Sequence, residues 1–468
     1  MIFDIFITEN DKSKTDKTIQ ASKPEMGYKA VKAYTRFFHD KIYYRKVYYI
    51  NTENIPENCP LMVVSNHQNC MCDPLGLLMS MRARQNVKTK VITRANIFSN
   101  SIVSRILRYL GLIPIFRLEQ DGAENLVHNN ETFEEVENEL LNDGTVIIFP
   151  EGKHQNKRWL GDFSYGYLRI LFKAAEKSNF EKELFVLPSC NHYSNYFGIQ
   201  EDLLIKFGNP ISLAPYYELY KTKPRTAQRK VNALVRNQME QLMLNINDLD
   251  NYTSIDYLRE TYGIKYAKDN GYNPNVLPEK LISDKEFCRK LEDIKEKDEN
   301  VIHSIYNDVN IFDEKTRELN IKDENFGKIS SFFKVFVEGL LFIVFFPLFV
   351  FSLIPNILVV YAPKVINSKI EDRMMHNTIV FIMSLLCTMP ILYLLIFALV
   401  WILKGSFIYA LIYLICLPFL GIFAWNYNKA WKSWRSQLRY KKLLKAGKLN
   451  ELVKLRTKIY ESLDKLLK

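Results

Sequence analysis

In the stretch Leu61 to Gly76, LMVVSNHQNCMCDPLG, an apolar run breaks into polar residues, and His67 is followed six positions later by the carboxylate of Asp73. An imidazole takes up a proton near neutral pH, and a neighbouring carboxylate orients the ring and stabilises its charged form. The pair is the minimal apparatus for removing a proton from a hydroxyl. A loop histidine bonded to nearby backbone is the alternative reading. Cys70 and Cys72, between the two, raise a covalent thioester as a further route. No second ligand group stands at usable spacing for a metal, so none is expected.

The elements that must position these groups follow from the apolar pattern. Leu61–Val64, bounded by Pro60, reads as a short buried strand that ends at His67. Asp73-Pro74 supplies the cap and first-turn proline of a helix that continues through Leu75–Met81. A second buried strand, Thr145–Phe149, ends in the turn Pro150-Glu151-Gly152, with Lys153, His154, Lys157 and Arg158 after it. Val87–Thr93, Leu184–Pro188 and Leu203–Phe207 are further strand candidates. Ile102–Leu110 and Asn125–Leu141 have helical spacing, and Gly27–Tyr49 reads as an amphipathic helix for a membrane surface or for packing. Strands alternating with helices give an α/β fold with a largely parallel sheet. His128, on a polar helix face, and His192, flanked by aromatic residues, carry no catalytic reading.

Charge and hydropathy are unevenly distributed. Of the net +11 over 468 residues, +10 lies between Lys429 and Lys468, where thirteen Lys or Arg face Glu451, Glu461 and Asp464. A basic tail directly after apolar segments suits an anionic membrane surface better than nucleic acid, which is excluded as a partner. Val335–Tyr361, Asn377–Leu403 and Phe407–Trp425 are long enough to cross a bilayer, and the first, with Glu338, Pro347 and Pro355, reads as re-entrant or doubly crossing. Seven scattered cysteines make no disulfide framework and suit a reducing compartment. The N-terminus has no signal-peptide pattern. With the basic tail kept inside, these features place an integral membrane protein with its N-terminal part on the cytoplasmic face.

Four blocks then stand in order: SNHQNCMCD at Ser65–Asp73, GLIPIFR at Gly111–Arg117, FPEGKH at Phe149–His154 and VLPSCNHY at Val186–Tyr193. Their order and separations resemble those of the glycerolipid acyltransferase family, over roughly Tyr49 to Ile211. The resemblance implies an O-acyltransferase that moves a fatty acyl chain from a thioester, on coenzyme A or acyl carrier protein, to a hydroxyl of glycerol 3-phosphate or 1-acylglycerol 3-phosphate. It implies no cofactor beyond that acyl donor, and membrane lipids as partners. His67 and Asp73 take the catalytic places. Arg117, Glu151, Gly152, Pro150 and Asn66 take the substrate-binding places, with the planar Arg117 fork suited to phosphate. Glu151 would accept hydrogen bonds from the glycerol hydroxyl or position Arg117. The family's usual pattern has four residues between the His and the Asp; here there are five.

The expected organisation is a polar tail over 1–26, an acyltransferase domain over 27–215, a polar helical subdomain over 216–330, a membrane region over 331–427 and a basic amphipathic helix over 428–468. Two other functions compete. A silent lipid-binding or scaffold protein would have no need of His67, Asp73, Arg117 and Glu151 together. A transporter would need more spans and more intramembrane charge.

Overall fold

Strands whose two faces are both covered become almost wholly apolar, and LMVVS is such a segment. In the computed structural model it forms β2 (Leu61–Ser65), buried at every position. Residues 24–116, 129–327, 331–358 and 374–467 are described, with the single positions 127, 361, 365, 366, 368 and 370. Arg117, His128 and the tail up to Lys23 lie outside them.

Among the described residues the sheet has eight strands: β1 (Lys46–Ile50), β2, β3 (Lys90–Arg94), β4 (Leu112–Ile115), β5 (Thr145–Ile148), β6 (Phe185–Tyr193), β7 (Asp202–Phe207) and β8 (Ile211–Ser212). Their order is β1-β7-β6-β2-β5-β3-β4, with β8 beside β6. β2 pairs in parallel with β5 on one side and β6 on the other, Val64 standing opposite Ile148 and Pro188. β3 is parallel to β5 and β4, and β1 to β7, while β6 runs antiparallel to β7 and β8. The result is a mixed, mostly parallel sheet. The reading of Gly27–Tyr49 as one helix is corrected here. The helix α1 (Met26–Phe37) passes into a π-helical turn that ends at Tyr43, and Lys46–Ile50 is an edge strand.

Helices α2 (Cys72–Ser80), α3 (Ser101–Tyr109), α4 (Asn129–Leu141) and α5 (Gly166–Lys177) connect the strands, and α6 (Pro224–Leu242) packs on the sheet through Val231, Val235 and Met239. A second apolar core is formed by α7 (Tyr252–Glu260), α8 (Tyr262–Asp269), α9 (Leu277–Lys297) and α10 (Glu299–Glu318).

The apolar region contains α11 (Phe332–Leu353), α12 (Met374–Ile382) with a π-helical continuation to Leu392, α13 (Tyr393–Lys404) and α14 (Phe407–Lys445). Among the described residues, three segments are long and apolar enough to cross a membrane: Phe333–Asn356, Met375–Lys404 and Phe407–Lys445. Residues that would decide a re-entrant turn after the first lie largely outside those described. α14 shows no break near 427. It continues as one 39-residue helix to Lys445, and α15 (Asn450–Leu466) follows. The apolar stripe of the tail is occupied, because Leu449, Leu452, Ile459 and Leu463 are buried in the helical core beside α10. The tail therefore packs on protein through that face.

A buried charge network joins this helical core to the loop after β5. The Arg158 guanidinium lies 3.5 Å from Asp256, Arg259 reaches Asp256 at 2.7 Å and Asp284 at 3.0 Å, and Lys280 also pairs with Asp284. Removing one member of a buried set strands its partners. Asp284→Ala is therefore expected to destabilise the fold by about 3–5 kcal/mol, read as a lower midpoint of urea unfolding followed by tyrosine and tryptophan fluorescence. Arg158 also donates to His192 Nδ1 at 3.3 Å. Burial first, then the charges of Arg158, Arg259, Lys280 and Lys285, push His192 well below the usual imidazole range. The folded form thus resists protonating His192. Its stability contribution is complete above the unfolded value near 6.5 and is lost as pH falls below it. The apparent unfolding temperature should drop between about pH 7 and 5, and His192→Gln should flatten that slope.

Candidate functional site

In open parallel sheets, reactive groups gather outside the carboxyl ends of the strands. Here that edge carries the loops after β2 and β5, the end of β3 at Arg94 and the end of β4 at Ile115.

The turn 66–73 leaves β2 and enters α2, folding back so that His67 Nδ1 lies 2.9 Å from Asp73 Oδ2. The five-residue spacer closes because Cys70 adopts a left-handed backbone, φ 43°. Asp73 is wholly buried. Its Oδ2 also accepts the backbone N–H of Gln68 and of Asn69, each at 2.7 Å, and its Oδ1 accepts the Tyr193 hydroxyl at 2.6 Å. A carboxylate only accepts, so geometry assigns the ring proton to Nδ1 and leaves the Nε2 lone pair free of Asp73. The imidazole is 17% exposed, stacks on Phe149 with ring centres 4.4 Å apart and meets the His154 ring edge-on at 5.5 Å. A base between an aromatic floor and a partly open mouth can reach a hydroxyl.

The backbone of His67 is fixed from the loop after β5. Its N–H donates to Glu151 Oε1 at 2.9 Å, and its carbonyl accepts the Gln155 N–H at 3.0 Å. Glu151 Oε2 takes Gln155 Nε2 at 3.0 Å and the Gly161 N–H at 2.9 Å. Position 161 must be glycine for this approach, since a Cβ there would stand 2.8 Å from Oε2. Burial raises the Glu151 carboxyl above its usual range, while the N–H donors of His67 and Gly161 work in the other direction. Both oxygens are engaged by protein, so Glu151 braces the turn that carries His67. Arg117, which it was expected to position, lies outside the described residues.

Asn66, expected at a substrate-binding place, is held by β6. It is fully buried, and its amide makes a two-way bridge with Asn191, donating to the backbone carbonyl at 3.0 Å and accepting the N–H at 2.8 Å. It extends the β2–β6 pairing past the end of the ladder. Pro150 is buried, and its carbonyl accepts the Ser164 N–H at 2.9 Å. Gly152 turns at φ 70° with open space where a Cβ would be, and its own N–H closes the turn onto Phe149 at 3.2 Å. Arg117 lies beyond the described end of β4. The structure therefore brings His67, Asp73, Asn66, Pro150, Glu151 and Gly152 to one sheet edge.

The cysteines are poorly placed to act as nucleophiles. Cys72 is buried, and burial pushes its thiol far up. Burial likewise raises Cys70, whose Sγ points at Met375 Sδ, 3.1 Å away. A thiolate is the reactive form, so the covalent route is disfavoured.

Several participants escaped the sequence reading. Tyr193, on the second half of β6, holds Asp73 from 120 positions away. Arg94 ends β3 as His67 follows β2, and its guanidinium meets His154 Nδ1 at 3.3 Å. A polar residue closing an apolar run was the available signal for Arg94. Asn377 and Thr378, polar residues at the head of an apolar helix, contact the same turn.

Residues 46–190 match the family model described as Acyltransferase. The chain is 28% identical over 137 residues to glycerol-3-phosphate O-acyltransferase 2 of Saccharomyces cerevisiae, covering 29% of this chain and 18% of that protein. It is 25% identical over 154 residues to a probable 1-acyl-sn-glycerol-3-phosphate acyltransferase of Mycoplasma pneumoniae, covering 32% and 53%. The chain thus spans about half or less of the curated relatives it matches. The solved 1-acyl-sn-glycerophosphate acyltransferase PlsC of Thermotoga maritima superposes with a TM-score of 0.29 at 21% identity, over 44% of this chain and 79% of that one. The family match covers the turn after β2, the turn after β5 and the first half of β6. Residues 46–190 thus carry an acyltransferase-family segment, and the relatives it resembles are glycerolipid acyltransferases by name.

Proposed function

We propose that the protein transfers a fatty acyl group from an acyl thioester, on coenzyme A or acyl carrier protein, to a hydroxyl of glycerol 3-phosphate or 1-acylglycerol 3-phosphate in phospholipid synthesis. The observation that carries this reading is the closed His67–Asp73 pair, its ring proton on Nδ1, at the carboxyl edge of β2 inside the family-matched stretch. The acceptor hydroxyl gives its proton to His67 Nε2 as its oxygen forms a bond to the thioester carbonyl carbon. Asp73 stabilises the imidazolium. The tetrahedral oxyanion collapses, the C–S bond breaks, and the imidazolium returns the proton to the departing thiolate. Arg117 is proposed to hold the acceptor phosphate, with Pro150 and Gly152 shaping the wall of the site. Glu151 and Asn66 keep the base in place.

Three apolar segments support a membrane setting, which suits an acceptor or product with acyl chains. The density of Lys and Arg from Lys429 onward supports a cytoplasmic catalytic face. A membrane-impermeant maleimide applied to intact cells should leave a cysteine substituted for Lys448 unlabelled and should label it after lysis; labelling from outside would reverse the orientation.

Acyl transfer by purified membranes, offered labelled glycerol 3-phosphate and 1-acylglycerol 3-phosphate in parallel, tests the reaction and names the acceptor. His67→Ala should lower kcat/KM by about 10²–10⁴-fold, and retained activity would refute the base assignment. Asp73→Asn should approach the same loss. Tyr193→Phe, which removes one of four donors to Asp73, should lose about tenfold, the scale of one hydrogen bond to a charged group.

A further inference from the structure

We propose that the second apolar helix is part of the catalytic apparatus: Asn377 and Thr378 are positioning residues that hold the turn between His67 and Asp73, so the proton-accepting pair is closed only when α12 is docked. The inference rests on the reading of His67 as the base. It assigns a role to residues far outside the family-matched stretch.

The turn needs external support. Its extra residue is accommodated by Cys70 in the left-handed region, a conformation unfavourable for a residue with a side chain unless its surroundings enforce it. The surroundings come from α12. Met375 meets Cys70, the Thr378 hydroxyl accepts the Met71 N–H at 3.3 Å, and Asn377 Nδ2 donates to Asn69 Oδ1 at 3.3 Å. Three residues within one helical turn thus contact three consecutive residues of the spacer.

Asn377 is fixed on its other sides as well. Its Nδ2 also donates to the Tyr196 carbonyl, its Oδ1 accepts the Gly198 N–H at 3.3 Å, and its own carbonyl accepts the Tyr43 hydroxyl at 3.2 Å. Asn377, Thr378, Asn69 and Gln68 are all buried. A buried amide in an otherwise apolar helix is unfavourable unless its hydrogen bonds are made, and here every bond goes to the catalytic turn or to its neighbours. Two short paths then reach Asp73. Asn377 holds the Asn69 side chain, whose backbone N–H binds Asp73 Oδ2. Tyr196, held at its carbonyl by Asn377, donates its hydroxyl to Gln68 Oε1 at 2.8 Å, and the Gln68 N–H binds the same carboxylate oxygen.

None of these groups is charged, and none is among the contacts proposed for substrate. Releasing the turn therefore lowers kcat through the His67–Asp73 geometry and leaves KM for the acyl donor in place.

The test uses the full chain in detergent–lipid micelles with Thr378→Val, which keeps the shape and removes the acceptor, and Asn377→Leu, which suits an apolar helix. Thr378→Ser retains the hydroxyl and should behave as wild type. Hydrogen–deuterium exchange of the peptide covering Asn66–Asp73 should quicken about tenfold or more in the Val and Leu variants, and their kcat should fall about 10- to 100-fold with KM for the acyl donor unchanged. Wild-type exchange and kcat in both variants, or a rise in KM with kcat unchanged, overturn the proposal. Absence of acyl transfer in the wild type sinks the acyltransferase reading separately, and the exchange measurement still decides whether α12 holds the turn.

Discussion

Four hydrogen-bond donors converge on the buried carboxylate of Asp73: a ring nitrogen, two consecutive backbone amides and a tyrosine hydroxyl. A carboxylate removed from water must have its oxygens satisfied by protein, and meeting that demand shapes everything around it. The chain after β2 has to fold back so that Gln68 and Asn69 present their N–H groups. β6 has to extend beyond β2 so that Tyr193 arrives. The ring of His67 then has one orientation available, with Nε2 outward. In this sense the proposed base is oriented by the carboxylate's solvation requirement.

A second carboxylate, Glu151, does the complementary work from the neighbouring strand. It fixes the backbone of His67 while Asp73 fixes its ring, and Asn66 ties the preceding residue to β6. Main chain and side chain of the proposed base are thus anchored independently, from the two strands that flank β2. Such double anchoring keeps a reacting atom within the tolerance that proton transfer demands.

The legible parts of this arrangement were those encoded locally. LMVVS and TVII announce central parallel strands because both of their faces are covered, and the His67, Asp73 and Glu151 turns follow directly from the ends of those strands. KVYYI did not announce β1, since an edge strand rich in Tyr beside a Lys/Arg-rich helix carries the same residues as an amphipathic helix. Longer-range parts were illegible for a physical reason: nothing near Tyr193 or Asn377 states which carboxylate or which turn it will meet. A leucine stripe such as the tail's looks the same whether lipid or protein will cover it. Leu449, Leu452, Ile459 and Leu463 are covered by protein. The extra residue before Asp73, which weakens the motif on paper, is absorbed by one left-handed backbone at Cys70.

The uninterrupted helix from Phe407 to Lys445 joins the apolar bundle to the helical core. At 1.5 Å per residue it is a rod about 58 Å long. Its length and its angular phase are one quantity: each added residue would lift the far end by 1.5 Å and swing it through about 100°. Tyr440 at one end and Ala410 at the other are both buried, so the faces presented at the two ends are locked to each other by residue count. The stand-off between the apolar bundle and the helical core is therefore quantised, and a gain or loss of one residue in this rod would be felt as torsion at both ends.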